Sequence, residues 1–299
     1  MKIRVGLGLG ALSWGPGFDG FGELVDDLER LRFDSLWLSE RANGPAPDPL
    51  VGLAFAAGRT TKLKFGTSVQ VLSGRNPAMI AKTWASLDRL SNGRALPAFG
   101  LGVVDPREQQ AFRIAREDRA GWFDEALPLI RRLWTEDSVD HRGAHFAYEG
   151  VSIGPKPLQS PPDVWLGGQA PSELRRVGRL GDGWLPSFCT PADAAAGRPA
   201  VQEAADKAGR AIDPEHFGAL VLYVNGDEVP PLLATIVERR RPGLDPTAVI
   251  PTGHKALRAQ LEAFVEQGFS KLVVVPAGEP PSWRDELEAL AADVLTIQN

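Results

Sequence analysis

Eight short runs of apolar residues divide the chain, and segments with helical periodicity separate them. The runs are continuous in Val, Leu, Ile, Phe and Trp instead of alternating with polar residues, which is typical of parallel strands buried on both faces. Between the runs, apolar residues recur at helical spacing, as at Phe21, Leu24 and Leu28. The predicted strands are residues 3–9, 35–39, 63–68, 95–101, 163–167, 183–186, 218–224 and 271–275.

This alternation predicts an α/β fold, and specifically a (β/α)8 TIM barrel. The chain has 299 residues, of which 43% are hydrophobic, so it can form one barrel of about 250 residues with insertions. We therefore expect a single domain over residues 1–299. The long connections 103–162 and 225–270 are predicted insertions in βα loops, and residues 140–150 predict an extra hairpin in the first of them.

Charge and cysteine content narrow the class of protein. A net charge of −5 without a basic block argues against a nucleic-acid partner, and the run Arg239, Arg240 and Arg241 is interpreted as a solvated helix end. No apolar stretch is long enough to span a membrane, and no leader is evident. The single cysteine, Cys189, has no internal partner and no obvious base, which favours a structural role and a cytoplasmic protein.

Two motifs resemble known binding signatures without meeting their requirements. Gly6, Gly8 and Gly10 do not have the G-x-G-x-x-G spacing of a dinucleotide site, so they are better explained as a flexible first βα loop. His141 and His145 have a spacing that suits zinc on a helix, but they lie in the predicted hairpin without an accompanying Glu. We therefore expect no metal site.

The end of the second predicted strand carries a carboxylate and a guanidinium, Glu40 and Arg41. In a barrel this position lies at the mouth, where active sites form, although a structural rim salt bridge is the alternative. Arg41 stays protonated and could stabilise an anion, whereas Glu40 could act as acid or base only if its pKa is raised.

A second candidate lies after the fifth predicted strand, where Gly167, Gly168 and Gln169 precede Pro171 at the start of a helix. Glycines allow a ligand close to backbone N–H groups, and a helix N-terminus favours an anion, so this junction could hold a phosphate. An ordinary tight turn explains the same residues. Trp14, Phe18 and Trp184 are candidates for an apolar pocket wall or, equally, for packing beneath loops.

Taken as an ordered series, several segments resemble the bacterial luciferase-like flavin and deazaflavin oxidoreductases over nearly the whole chain. Each segment alone is weak, but their order along the chain is specific. The segments are residues 35–40, 64–69, 85–94, 124–127, 132–134, 155–157, 165–168 and 181–184.

The resemblance implies a cofactor across the barrel mouth, with its phosphate near Gly167, Gly168 and Gln169. It also implies that Ser68 and Val69 form a non-prolyl cis peptide behind the flavin ring. One departure matters, because many deazaflavin-using members carry an Asp-His pair where this chain has Glu40 and Arg41. The carboxylate is retained, but the histidine proton donor is absent.

The resemblance therefore implies an oxidoreductase that moves a hydride between coenzyme F420, a deazaflavin, and a small organic substrate. Members of the family are often homodimers, and a cofactor reductase is a possible partner. Two alternatives stay open at this point. The first is an FMN-dependent monooxygenase, and the second is a non-catalytic cofactor-binding protein on the same fold, which the missing histidine would permit.

Overall fold

The computed structural model describes residues 1–14 and 19–299, and each of the eight predicted apolar runs forms strand structure. The run 95–101 is interrupted and forms two strands, and the strand in the run 63–68 is followed by a further short strand just beyond the predicted end. The strands are β1 (Arg4–Leu9), β2 (Ser35–Leu38), β3 (Lys64–Thr67), β4 (Gln70–Val71), β5 (Ala95–Leu96), β6 (Ala98–Gly100), β7 (Val139–Arg142), β8 (Ala147–Val151), β9 (Trp165–Leu166), β10 (Gly183–Trp184), β11 (Gly218–Tyr223) and β12 (Lys271–Pro276).

Pro97 explains the break between β5 and β6, and a cis peptide marks the break between β3 and β4. Pro97 separates β5 from β6, because proline has no N–H to donate to a neighbouring strand. The peptide between Ser68 and Val69, which separates β3 from β4, is cis. This confirms the geometry that the family resemblance implied for this peptide.

The strands pair in parallel around a ring. One set of pairings runs β11, β12, β1, β2, β3 and β5, and a second runs β10, β9, β6 and β4. Parallel bridges from Trp184 to Phe217 and from Ser187 to Leu220 connect β10 with β11. Because β3 with β4 and β5 with β6 each occupy one strand position, eight positions succeed one another in the order of a (β/α)8 barrel. The predicted fold class is confirmed.

Helices fill the connections, and most begin at a proline in the first turn, where a missing N–H costs nothing. Asp48 and Asn76 cap two of them by accepting hydrogen bonds from first-turn amides. None of the helices in the described part of the chain is long and apolar enough to cross a bilayer. The helices are α1 (Phe21–Arg30), α2 (Pro49–Arg59), α3 (Pro77–Leu90), α4 (Pro106–Phe112), α5 (Arg119–Thr135), α6 (Pro171–Leu180), α7 (Pro191–Lys207), α8 (Pro231–Arg240), α9 (Gly253–Glu266) and α10 (Trp283–Asp293).

The predicted hairpin is confirmed as the antiparallel pair β7 and β8. Glu125 on α5 fastens its tip, because its carboxylate lies 2.8 Å from His141 Nε2 and accepts the His145 and Phe146 N–H groups at 3.0 Å. His141 is thus held by a carboxylate of the neighbouring helix. Over residues 1–14 and 19–299, no three His, Cys, Asp or Glu side chains are grouped as metal ligands.

The N-terminal ends of three strands carry an ionic cluster, which we call the floor cluster and which consists of Asp34, Lys64 and Lys271. Lys271 is only 3% exposed and forms an ion pair with Asp34, and the Lys64 ammonium lies 3.2 Å from the same carboxylate. Burial lowers the pKa of Lys271 to about 8, although the Asp34 charge opposes that shift. Burial acts to raise the pKa of Asp34, but the two lysines outweigh it and bring that pKa down to about 2.

The floor cluster predicts a specific loss of stability in acid. The pKa of Asp34 lies below its ordinary value of 3.8, so its contribution is present above that pH and is lost as the pH falls towards 2. Asp34→Asn should cost about 3 kcal/mol at neutral pH, because Lys271 stays buried without a charged partner. Between about pH 5 and about pH 3, the native chain should lose about 1 kcal/mol more than this variant in urea unfolding.

Asp26→Asn is the matched control, since Asp26 forms an exposed ion pair with Arg59. It should change the unfolding free energy by less than about 0.5 kcal/mol. If Asp34→Asn and Asp26→Asn behave alike, the floor cluster does not have the stabilising role described here.

Candidate active site at the carboxyl ends of the strands

The carboxyl ends of all eight strand positions border one cleft of about 470 Å³, which we call the mouth cleft. Its volume is within the range of small-molecule and cofactor sites. Most of its inner wall is apolar. The residues that follow or end the strands there are Gly10, Glu40, Ser68, Val69, Gly100, Gly167, Gly168, Leu185, Leu222, Val275 and Pro276.

Glu40 brings a buried carboxyl group to the mouth cleft. It is 9% exposed, its Oε2 accepts a hydrogen bond from the Val71 N–H at 2.7 Å, and its Oε1 is paired with Arg75. Burial raises the pKa of Glu40, although the Arg75 charge and the Val71 N–H oppose that shift. The condition that sequence reasoning set for an acid–base role of Glu40 is therefore met.

Arg41 also borders the mouth cleft, but it pairs with a residue other than Glu40. Its Nε donates to Glu108 Oε2 at 2.8 Å, and the same carboxylate accepts the Ala42 N–H at 2.8 Å. Glu108 lies on α4 and is 4% exposed. The two adjacent residues thus belong to separate ion pairs, and the loop after β2 is fixed from two directions.

The cis peptide forms part of the wall next to Glu40. The Ser39 hydroxyl donates to the Ser68 carbonyl at 3.0 Å, and the Glu40 N–H donates to the Val69 carbonyl at 3.3 Å. Gly100 on the neighbouring strand leaves room for Val69, because a Cβ there would lie 2.5 Å from Val69 Cγ2. Ser68 and Val69 are thereby held at the mouth beside the carboxyl of Glu40.

A carboxylate of the chain itself occupies the turn at residues 167–169. Glu173, in the first turn of α6, accepts the Gln169 N–H at 2.8 Å and the Ala170 N–H at 2.9 Å through its Oε2. Gly168 has a φ of +99°, and a Cβ on it would lie 2.6 Å from the same oxygen. Amides that a helix N-terminus offers to an anion are thus already hydrogen-bonded within the chain.

Side chains around this turn hold it against β10. Gln169 Nε2 donates to the Ser187 carbonyl at 2.5 Å, and Trp184 Nε1 donates to the Gly168 carbonyl at 2.9 Å. Gly167 and Gly168 border the mouth cleft, whereas the Gln169 side chain is directed to Ser187. The turn is therefore rigidly placed at the edge of the cleft.

The tryptophans considered as pocket walls pack in the core instead. Trp184 is 1% exposed against Phe217 and Phe269, with ring centroids 6.5 and 5.9 Å apart. Trp14 is 4% exposed, and its ring centroid lies 5.1 Å from that of Trp283. Phe18, the third candidate, lies outside the described residues.

The arginine run at the end of α8 agrees in part with its interpretation as a solvated helix end, because Arg239 and Arg240 are both exposed. Arg240, however, borders the mouth cleft with its Cζ 4.4 Å from the centroid of the Phe188 ring, and Arg241 is half-buried and pairs with Asp193 at 2.9 Å. Cys189 next to Phe188 is buried, and burial raises the pKa of its thiol to about 12. An inert structural cysteine, as predicted, fits this environment.

The sequence profile of the luciferase-like monooxygenase family matches residues 2–229. The chain belongs to this family. A relative from Amycolatopsis mediterranei, named as an F420-dependent glucose-6-phosphate dehydrogenase, is 32% identical over 196 residues, which are 61% of this chain and 57% of that protein. The alignment thus spans little more than half of this relative's length. The family that the sequence motifs suggested is confirmed.

Solved structures of low sequence identity share the fold of this family member. An F420-dependent secondary alcohol dehydrogenase in complex with an F420-acetone adduct has a TM-score of 0.81 at 18% identity, over 100% of both chains. The oxygenating constituent of 3,6-diketocamphane monooxygenase from Pseudomonas putida, in complex with FMN, has a TM-score of 0.78 at 17% identity, over 100% of this chain and 99% of the other. These relatives and neighbours are oxidoreductases.

Sequence reasoning missed the ion-pair partners of Glu40 and Arg41. Arg75 and Glu108 are distant in sequence from Glu40 and Arg41, and no local motif marks them. Glu173 had a local signal, because an acidic residue in the first turn of a helix is a frequent cap. The contact of Arg240 with Phe188 carried no sequence signal.

The contact between Gly168 and Glu173 can be tested by substitution. Gly168→Ala should lower the unfolding free energy by about 1–3 kcal/mol more than Gly209→Ala, because the added Cβ overlaps the Glu173 carboxylate. Gly209 also has a positive φ, of +67°, but open space around it, so it controls for backbone strain. A Cβ at residue 168 would also lie 2.7 Å from the Glu173 Cβ, so the second substitution has to remove that atom too. In urea unfolding, Glu173→Gly combined with Gly168→Ala should recover most of the extra loss, and purely additive effects would contradict this contact.

Proposed function

We propose that the protein is an F420-dependent oxidoreductase that transfers a hydride between the cofactor and a small organic substrate. The observation that carries this proposal is the apolar mouth cleft, in which the buried Glu40 carboxyl, with its raised pKa, lies beside the Ser68–Val69 peptide. The names of the relative from Amycolatopsis mediterranei and of the structural neighbour with an F420-acetone adduct support it.

The residues at the mouth fit a planar, largely apolar ring system with a polar tail. Val69, Leu185 and Val275 come from three separate strand positions and offer apolar contacts to such a ring. Gly167 and Gly168 have no side chain at the edge of the cleft, so a ligand can approach the backbone there. In this proposal Ser68 and Val69 support one face of the ring, and the 167–169 turn lies beside its phosphate.

When bound, the cofactor supplies a hydride acceptor or donor. The proton that accompanies hydride transfer has to be exchanged with the protein, and the Glu40 carboxyl group is positioned to carry it. An alcohol substrate would give its hydroxyl proton to Glu40 during oxidation, and a ketone would receive a proton from it during reduction. Arg41 would stabilise negative charge on the substrate oxygen from its position fixed by Glu108. In this proposal the retained carboxyl group, Glu40, takes over the proton transfer of the absent family histidine, whose position Arg41 occupies.

FMN is the second candidate for the cofactor. The FMN-bound neighbour has the same fold over 100% of this chain, and the apolar wall of the mouth cleft suits a flavin ring equally well. With FMN the protein would be a monooxygenase that depends on a separate reductase.

We also propose a homodimer, for which the exposed apolar side chains Val51 and Phe55 on α2 and Met79 on α3 provide a surface.

The cofactor preference can be measured by fluorescence titration with F420 and, separately, with FMN. We expect binding of F420 at about micromolar or tighter dissociation constants, with FMN binding at least about tenfold weaker. The reverse preference would favour the monooxygenase, and binding of neither would refute the cofactor assignment.

The role of Glu40 can be tested by turnover and its pH dependence. Glu40→Gln should lower kcat by at least about 100-fold with little change in cofactor affinity, because it removes a proton acceptor but keeps the shape. In alcohol oxidation, kcat/KM of the native chain should fall as the pH drops through the raised pKa of Glu40, and the variant should lack this limb. Substrates for the assay are secondary alcohols and glucose 6-phosphate.

Glu203→Gln serves as the matched control, because Glu203 is exposed on α7 and pairs with Lys207 of the same helix. It should leave kcat and the pH profile unchanged. If turnover also persists in Glu40→Gln, Glu40 has no part in the proton transfer.

A further inference from the structure

Three arginines border the mouth cleft, and one of them differs from the others in its pairing. Arg41 pairs with Glu108 at 2.8 Å, and Arg176 pairs with Asp124 at 2.7 Å. Within residues 1–14 and 19–299, no carboxylate lies within 4.0 Å of the Arg240 guanidinium. A guanidinium in a cleft without a counter-ion can form strong charge-assisted hydrogen bonds to an anionic ligand.

Arg240 is nevertheless held in place. Its guanidinium stacks on the ring of Phe188, with Cζ 4.4 Å from the centroid, and Phe188 itself adopts a positive φ of 53° and packs against the buried cluster that includes Leu233 and Val237. Surrounding protein atoms lower the pKa of Arg240 although solvent reaches it through the cleft, and the Glu173 charge opposes this shift. An arginine in this position stays protonated at neutral pH and keeps its donors free for a ligand.

Glu173 explains why Arg240 is left without a counter-ion. Its charge acts on Arg240, but its Oε2 is bound to the Gln169 and Ala170 N–H groups. A ligand anion arriving at the 167–169 turn therefore meets amides that already have an acceptor and a carboxylate of like charge. At this end of the cleft, the Arg240 guanidinium offers hydrogen-bond donors that no carboxylate of the described residues occupies.

We propose that Arg240, stacked on Phe188, binds the phosphate of the cofactor, and that Glu173 weakens the binding of the same phosphate by like-charge repulsion. This inference rests on the proposed function, since it takes the phosphate from a flavin-type cofactor. Arg240 is accordingly a specificity-determining residue, which favours the phosphorylated cofactor over its phosphate-free form. The Phe188 ring restricts the guanidinium to the orientation that faces the cleft.

Paired ligands that differ only in the phosphate-bearing tail provide the test. We would titrate the native chain and each variant with F420 and with the phosphate-free deazaflavin alcohol, using cofactor fluorescence. Arg240→Gln should weaken F420 binding by about tenfold to 100-fold and change the affinity for the phosphate-free compound by less than about twofold. Glu173→Gln should tighten F420 binding several-fold and leave the phosphate-free compound unaffected. If the native chain prefers FMN, the ligands are FMN and riboflavin.

Arg239→Gln is the matched control, because it removes the same charge from the adjacent residue, which is exposed outside the mouth cleft. It should not change the ratio of the two affinities. Arg240→Lys should restore part of the loss, since it keeps the charge but not the planar stack on Phe188. The loss in Arg240→Gln should also shrink at high salt.

The outcomes separate this inference from the proposed function. If both ligands bind the native chain and Arg240→Gln weakens them equally or not at all, the phosphate lies elsewhere and the inference is wrong, whereas the cofactor assignment stands. If neither the deazaflavin pair nor the flavin pair binds the native chain, the proposed function is refuted, and so is the inference that rests on it. Thermal unfolding of each variant distinguishes a lost contact from a lost fold.

Discussion

The parallel pairing of the strands around a ring is the constraint on which the site depends. Parallel strands that are buried on both faces place all their carboxyl ends at one end of the barrel. Glu40, Val69, Gly167 and Val275 are far apart in the sequence, yet they border one cleft because each follows or ends a strand. The helices and the β7–β8 hairpin cover the outside of the ring and leave that end open.

Charges at the mouth are fixed before any ligand arrives. Glu40 is paired with Arg75, Arg41 with Glu108, and Glu173 with the amides that begin α6. Groups held in this way need little reorganisation when charge develops nearby, which is the basis of electrostatic catalysis in enzymes. Glu40 gains a raised pKa from burial and keeps its position through the Val71 N–H and Arg75. Val71 and Arg75 thus fix the position of the carboxyl group, and burial raises its pKa against their opposing effect.

Local sequence patterns were sufficient to predict the fold, because buried parallel strands and amphipathic helices are each recognisable from a few neighbouring residues. It also located Glu40 and the 167–169 turn, since both follow strands directly. Pairings such as Glu40 with Arg75 depend on how distant segments pack, which no local pattern contains. The arginine run illustrates that the environments of side chains could not be predicted from local sequence. Successive residues on a helix point in directions about 100° apart, so Arg239, Arg240 and Arg241 have three different environments.

The floor cluster lies at the opposite end of the strands from the mouth cleft, so the length of the barrel separates the two groups of charged residues. Lys271 and Asp34 form a largely buried ion pair at the amino ends of their strands, and neither borders the mouth cleft. The mouth, by contrast, is built from residues that follow the strands and contribute little to the pairing of the ring. New substrate preferences can therefore evolve through the loops at the mouth, because substitutions there leave the strand pairing and the floor cluster unchanged.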